Sequence, residues 1–199
     1  MRRIILLRHG RTPANDERLY CGSTDISLSQ RGREELIFLR ENCRWPDISG
    51  FRAITSGLRR TEETLSILFG DIPFTCCEDL REIDFGAFEM HSYEQLKDDP
   101  AYRAWCDGDN EGNIPPGGES GRQMQARVLR SFRELCAAGD DLLIVSHGGP
   151  IAAIMAELFP AEGKNRFEWQ PENGRGYLLE GDGVPSAWIK IPYGGDSHG

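Results

Sequence analysis

Three short aliphatic runs punctuate the chain. Arg2–Leu7, Ala53–Ser56 and Leu142–Ser146 each set apolar residues side by side and then stop at a polar turn. That pattern predicts strands covered on both faces. Elsewhere the apolar positions recur at helical spacing. Leu28–Asn42 predicts a helix, with Leu36, Ile37, Phe38 and Leu39 as its apolar stripe and Ser29 as its N-cap. The stretch from Ser56 to Phe69 predicts a second, with Leu58, Leu65 and Leu68 on one side and Gly70 as its stop. Glu119–Ala138 predicts a long amphipathic helix carrying Met124, Val128, Phe132 and Leu135, and Ile151–Phe159 an apolar one behind Gly148-Gly149. Pro73–Cys77, Tyr177–Glu180 and Ala187–Ile191 read as further strands, and Thr12–Ser27 as a polar loop.

The stretch Leu80–Pro116 is mixed. It holds two short helical candidates, Ser92–Lys97 and Ala101–Cys106, and then the loop sequence DGDNEGNIPPGG. The tail GGDSHG is expected to fray. Strands alternating with helices imply an α/β fold, a three-layer α/β/α sandwich with a mainly parallel central sheet. A length of 199 residues fits one domain, 1–199, with 83–118 as a small helical, cap-like insertion. Ligands of such sheets bind beyond the carboxyl ends of the strands. Three predicted strands end there in polar residues: Arg8-His9 after the first, Ser56 ahead of Arg59-Arg60 after the second, and Ser146-His147-Gly148 after the third.

Charge narrows the partners. A formal net charge of −9 argues against general affinity for nucleic acid or an anionic membrane, since both need a basic face. No apolar run approaches the ~20 residues of a membrane span. Ile4–Leu7 is too short for a signal-peptide core, so the cytoplasm is the expected compartment. The six cysteines include no C-x-x-C pair, so they read as reduced packing thiols and no metal site is expected.

Two of the four histidines, His9 and His147, fall just past buried strands and each precedes glycine. Glycine permits unusual backbone angles and close approach of a ligand. Arg59-Arg60 falls in the first turn of a predicted helix, where the macrodipole disfavours cations. Glu62 and Glu63 could neutralise that turn; alternatively a bound anion compensates it. Arg8, His9, Arg60 and His147 together suit a phosphoryl group. A neutral imidazole can attack phosphorus, and guanidinium forks match its oxygens. An alkoxide leaving group also needs a proton donor. The stretch LREIDFGAFE offers Glu82, Asp84 and Glu89, with Glu82 the candidate acid.

These residues resemble the histidine phosphatase superfamily, the phosphoglycerate-mutase-like proteins. Arg8-His9-Gly10 with Thr12 and Asn15 looks like the nucleophile loop. Cys21-Gly22, Asp25, Leu28 and Gly32 follow at the family's spacing. Ser56–Thr64, Leu80-Arg81-Glu82 and Ser146–Gly149 are similar to its later motifs. The stretch Pro115–Ser120, PPGGES, resembles small phosphatases of that family, α-ribazole phosphatases among them. The resemblance implies that His9 becomes phosphorylated, that Arg8, Arg60 and His147 hold the phosphoryl oxygens, and that Glu82 is the proton donor. Asn15, Cys21, Gly22 and Gly148 are further candidate phosphate or substrate contacts. No metal or organic cofactor is implied. The expected partner is a small phosphorylated substrate, and a homodimer is left open.

Three departures stand out. Met90 and His91 follow Glu89 where the family often has glycine. Pro150-Ile151-Ala152 stands where many relatives carry an arginine, which tells against a second strong anion there. Thr61 and Glu63 replace the usual alanine and glutamine. The segment between Glu82 and His147 is short beside those of mutase relatives, which implies a site open to water. A phosphatase is therefore the expected activity. The alternatives are a phosphoglycerate mutase returning the phosphoryl group to substrate, and a non-catalytic sensor of phosphorylated ligands. Phe85, Phe88, Tyr93, Tyr102 and Trp105 could stack a substrate ring or form a local core.

Overall fold

The computed structural model describes residues 1–109 and 111–194. A six-stranded sheet runs through it in the order β3-β2-β4-β1-β5-β6. The strands are β1 (Arg2–Arg8), β2 (Arg52–Thr55), β3 (Phe74–Cys76), β4 (Leu142–Ser146), β5 (Gly176–Gly181) and β6 (Ala187–Ile191). The neighbours from β3 to β1 are parallel, whereas β5 and β6 join antiparallel. The helices are α1 (Pro13–Glu17), α2 (Gln30–Asn42), α3 (Arg59–Phe69), α4 (Tyr93–Leu96), α5 (Pro100–Cys106), α6 (Gly121–Ala137) and α7 (Gly148–Leu158). No described helix is long and apolar enough to cross a membrane.

The continuous aliphatic runs make sense once both faces are followed. Alternate side chains of a strand point to opposite faces. Ile4, Leu6, Leu142 and Ile144 face one core with Met124, Val128 and Phe132 of α6 and Ile151, Ile154 and Met155 of α7. Ile5, Leu7, Leu143 and Val145 face the other with Leu36 of α2 and Leu65 and Leu68 of α3. Every residue of β4 is buried, and its one polar side chain, the last-placed Ser146, donates to Leu80 O at 2.7 Å. The register then aligns the strand ends. Arg8 lies opposite Ser146 and Thr55 opposite Val145, bringing His9, His147 and Ser56 to one edge.

Several expectations need correction. Thr12–Ser27 is not all loop. Thr12 caps α1, Pro13 opens it, and Asn15 closes a capping box; five residues are too few to show periodicity. The stripe of α2 is Gly32, Leu36 and Leu39, while Ile37 and Phe38 are 38% and 60% exposed. At 100° per residue, four consecutive positions cannot share one face. Helix α7 begins at Gly148 rather than Ile151, with His147 as its N-cap. Of the tail, only Gly194 is described; the expectation for 195–199 lies outside the described residues.

Within 83–118 the aromatic residues pack mainly on one another. Phe88, Leu96 and Tyr102 are buried, with Tyr20, Phe85 and Trp105 against them. The Tyr20 and Tyr102 hydroxyls lie 2.6 Å apart. Tyr93 is 58% exposed, although its ring still touches Tyr102.

Candidate active site

The imidazoles of His9 and His147 meet edge to face, with centroids 5.1 Å apart. His9 is 6% exposed and His147 fully buried. The His9 amide donates to Ser146 O at 3.0 Å, extending the β1–β4 ladder by one residue. Its carbonyl accepts from the Gly174 amide and from Asn173 Nδ2, both at 3.1 Å. The ring is thus fixed at its backbone from two sides.

Hydrogen-bond chemistry sets both tautomers. His9 Nδ1 lies 2.7 Å from Gly10 O, and a carbonyl only accepts, so Nδ1 carries the proton. The lone pair of His9 is therefore on Nε2. His147 Nδ1 accepts from Arg60 Nε at 3.3 Å, so its proton is on Nε2, which donates to Ser56 Oγ at 2.8 Å. Ser56 Oγ passes its own proton to Thr61 Oγ1 at 3.2 Å, and Thr61 Oγ1 donates to Leu58 O at 2.7 Å. The departure from alanine at position 61 thus ends a chain that holds the His147 tautomer. Both rings are held well below the ordinary histidine range. Burial is the largest cause, followed by the positive charge of Arg60; Arg8 adds to it for both, and His9 for His147. Both are neutral in the free protein.

The cations are buried without carboxylates. Among the described residues neither Arg8 nor Arg60 has an ion-pair partner. Arg60 points inward from the first turn of α3 and donates to Gly22 O and Thr24 O at 2.6 and 2.8 Å. Arg59 points out and pairs with Asp25 at 3.4 Å. Glu63 is committed to Arg33 and the Leu28 amide. Arg8 donates to Pro171 O at 2.8 Å, and its buried Nε has no partner among the described residues. Burial lowers the pKa of both guanidinium groups, opposed by Glu82 in each case. A dianion would supply the charge that this arrangement lacks.

Glu82 is the carboxylate of the site. Its oxygens accept from the Ile83 amide at 3.0 Å and from the Gly149 amide, at the start of α7, at 2.9 Å. A Cβ at position 149 would stand 2.2 Å from Glu82 Oε1, so glycine is what lets the carboxylate seat there. Arg127 of α6 braces this segment. It donates to Asp79 O, Arg81 O and Glu82 O at 2.7, 2.8 and 2.9 Å and pairs with Glu119. Glu89 has other work: it accepts from the amides of Gly22, Ser23, Thr24 and Phe85. Asp84 accepts from Ser23 Oγ and the Gly86 amide.

A cavity of about 530 Å³ is lined by Arg8, Asn15, Cys21, Glu82 and Gly149 among others. His9, Arg60 and His147 are buried and do not line it. Asn15 Oδ1 accepts from Thr12 N and Oγ1 and from Asn173 Nδ2, which leaves the Asn15 amide nitrogen as a donor. Burial raises the Cys21 thiol pKa. Gly22 sits differently. Its N–H goes to Glu89 and its carbonyl to Arg60, and a Cβ would lie 1.6 Å from Ile83 O. It shapes the loop and does not line the cavity. Gly148 packs against the Arg8 guanidinium. Met90 does not line the cavity either; it takes the positive φ of 60° that a glycine would adopt freely.

Sequence reasoning passed over the stretch that follows α7. Arg166, Phe167 and Gln170 line the cavity, Pro171 O receives Arg8, and Asn173 bridges His9 O and Asn15. No periodicity or motif marks these positions. Ser56 stood out only as a strand end, and its bond to His147 comes from the fold.

Two imidazoles, two arginine forks and a carboxylate at the carboxyl edge of a mainly parallel sheet form a centre suited to a phosphoryl group. The sequence profile of the histidine phosphatase superfamily (branch 1) matches residues 4–185, and the chain belongs to that superfamily. It is 31% identical to an adenosylcobalamin/α-ribazole phosphatase of Salmonella typhimurium, over 86% of this chain and 87% of the relative. It is 30% identical to a protein of Salmonella paratyphi C described as probable phosphoglycerate mutase GpmB, over 100% of this chain and 95% of the relative. Among solved structures it is similar to the α-ribazole phosphatase of Shigella flexneri, with a TM-score of 0.78 and 30% identity, covering 89% of this chain and 90% of the other.

Proposed function

We propose that this protein hydrolyses a small phosphomonoester through a phosphohistidine on His9 Nε2. The observation that carries the reading is the His9 ring. Its Nδ1 proton is spent on Gly10 O at 2.7 Å, and burial beside Arg60 and Arg8 keeps the ring neutral, so a lone pair is held ready on Nε2.

The substrate dianion enters the cavity and meets Arg8, Arg60 and the Asn15 amide. Its charge raises the basicity of His147, so that Nδ1 takes up a proton from solvent, gives up the bond it accepts from Arg60 Nε and donates to a phosphoryl oxygen. His9 Nε2 forms the P–N bond as the ester P–O bond breaks. The leaving oxygen takes a proton from Glu82, which enters this step as the acid. Water then attacks phosphorus, its proton returns to Glu82, and the P–N bond breaks to release inorganic phosphate. The two amides on Glu82 hold it for both transfers.

We assign 83–118 as a cap over the strand ends within a single domain. The support is that Phe85, Trp105, Cys106 and Glu111 from this segment line the same cavity as Arg8 and Glu82. With Tyr20 and Phe167 they favour a ring-bearing alcohol such as that of an α-ribazole phosphate. A phosphoglycerate mutase is the second reading, favoured by the end-to-end match to GpmB-named relatives. A panel of phosphomonoesters tests the proposal. Release of inorganic phosphate, with no bisphosphoglycerate requirement, is expected; obligate bisphosphoglycerate dependence would select the mutase. His9→Ala is expected to lose turnover and acid-labile phosphate labelling together, and full turnover in that variant would refute the mechanism.

A further inference from the structure

The cavity lining holds two arginines and two glutamates, but the two arginines are in different states. Arg8 has no carboxylate in contact among the described residues, as shown above. Arg166 has one: its Nη1 lies 2.9 Å from each oxygen of Glu111. Glu111 is itself held, since Gln125 Nε2 donates to it at 3.3 Å and its backbone carbonyl accepts from the Arg122 amide at 2.9 Å. The side chains of the pair are 30% and 36% exposed, so water screens them less than a surface pair. Arg166 also lies over the Phe167 ring, 5.0 Å from its centroid. Around the pair the lining is aromatic and apolar, from Tyr20, Phe85, Trp105, Met124 and Phe167.

We infer that Glu111 is a specificity-determining residue, and that it selects phosphomonoesters of uncharged, ring-bearing alcohols against those whose alcohol carries a carboxylate or second phosphate. The inference rests on the phosphomonoesterase reading above. By occupying Arg166, Glu111 leaves the cavity one cationic end, where the phosphoryl group binds. A substrate carboxylate reaching for Arg166 meets Glu111 on the same guanidinium, and like charges so placed repel. An uncharged polar edge pays no such penalty. It can bond the remaining Arg166 donors or the Glu111 oxygens while its ring lies on the aromatic wall. Position 150–152, Pro-Ile-Ala, supplies no replacement cation.

The test uses the whole protein and a matched pair of esters, benzyl phosphate and its para-carboxylate analogue. The wild type is expected to prefer benzyl phosphate in kcat/KM by roughly tenfold or more. Glu111→Gln keeps the shape of the contact and removes its charge. The preference should shrink by about tenfold, mainly through a lower KM for the carboxylated ester. Adding Arg166→Met should cancel that gain. Because the readout is a ratio within each variant, partial loss of folded protein drops out. A wild-type ratio near one, or a ratio unmoved by Glu111→Gln, overturns the inference and leaves the phosphomonoesterase reading standing. Absence of turnover on every ester overturns both.

Discussion

Gly149→Ala isolates the seat of the proton donor. Position 149 is the second residue of α7 and lacks a positive φ, so alanine fits the backbone there. The added Cβ stands 2.2 Å from Glu82 Oε1 and 3.3 Å from Met124 Cε. The first contact is roughly 1 Å inside van der Waals distance, and the end of the glutamate must give way. It then leaves the Gly149 amide that it now accepts from at 2.9 Å. A misplacement of about 1 Å can cost on the order of 10² in rate, and a general acid is worth about 10²–10⁴. Helix propensity favours alanine over glycine by up to about 1 kcal/mol, so stability should hold or rise. The expected result is a loss of roughly a hundredfold in kcat for an alkyl phosphate and a much smaller loss for 4-nitrophenyl phosphate, whose leaving group needs little proton assistance. Gly148→Ala serves as comparison, because its Cβ would stop 3.3 Å from Arg8 Cζ. Unchanged kcat on alkyl phosphates in Gly149→Ala, with the fold intact, would refute the role given to Glu82.

The buried histidines predict acid sensitivity. Both rings have native pKa values well below 6.5, while in the unfolded chain they titrate near it. Below about pH 6.5 the unfolded state binds two protons that the native state refuses, so stability falls with pH by up to roughly 3 kcal/mol per unit until the native rings titrate. Urea midpoints at pH 7 and pH 5 check this; equal midpoints would contradict the neutral rings. Arg127→Met removes the cation from the Glu119 carboxylate and the donor from three carbonyls around Glu82, and should cost about 3 kcal/mol in urea unfolding together with activity on alkyl esters. A stable, fully active variant would show that Glu82 needs no brace. Met90→Gly relieves a left-handed residue at φ 60° and should unfold within about 1 kcal/mol of the wild type despite losing its whole side chain; a larger loss would mean that Met90 is held by packing.

Much of the site was legible because burial leaves few places for polarity. β1 and β4 each hold an unbroken buried aliphatic run, Ile4–Leu7 and Leu142–Val145, so Arg8-His9 and Ser146-His147 had to fall where those runs end. The alternation of strands and helices pointed to the sheet, and parallel strands put their carboxyl ends on one edge. The arginine pair was legible as an anomaly at a helix start, but spacing alone did not separate Arg60, which turns inward, from Arg59, which pairs with Asp25. Glu82, Asp84 and Glu89 were alike as sequence. They differ through what each accepts from: the α7 amide for Glu82, the Ser23 hydroxyl and Gly86 amide for Asp84, and the Gly22–Thr24 amides for Glu89. α1 and the wall from Arg166 to Asn173 escaped notice, being short or aperiodic.

What the chain determined by itself was local. Apolar runs, glycines and capping residues dictate strands, stops and helix starts through forces acting within a few residues. The tertiary structure decided the chemistry. Which ring nitrogen of His147 keeps its lone pair, and whether Arg8 and Arg166 meet a carboxylate, depend on groups scores of residues away in sequence. Charge and hydrogen bonding act over a few ångströms of space, and only the folded sheet edge brings those groups within reach.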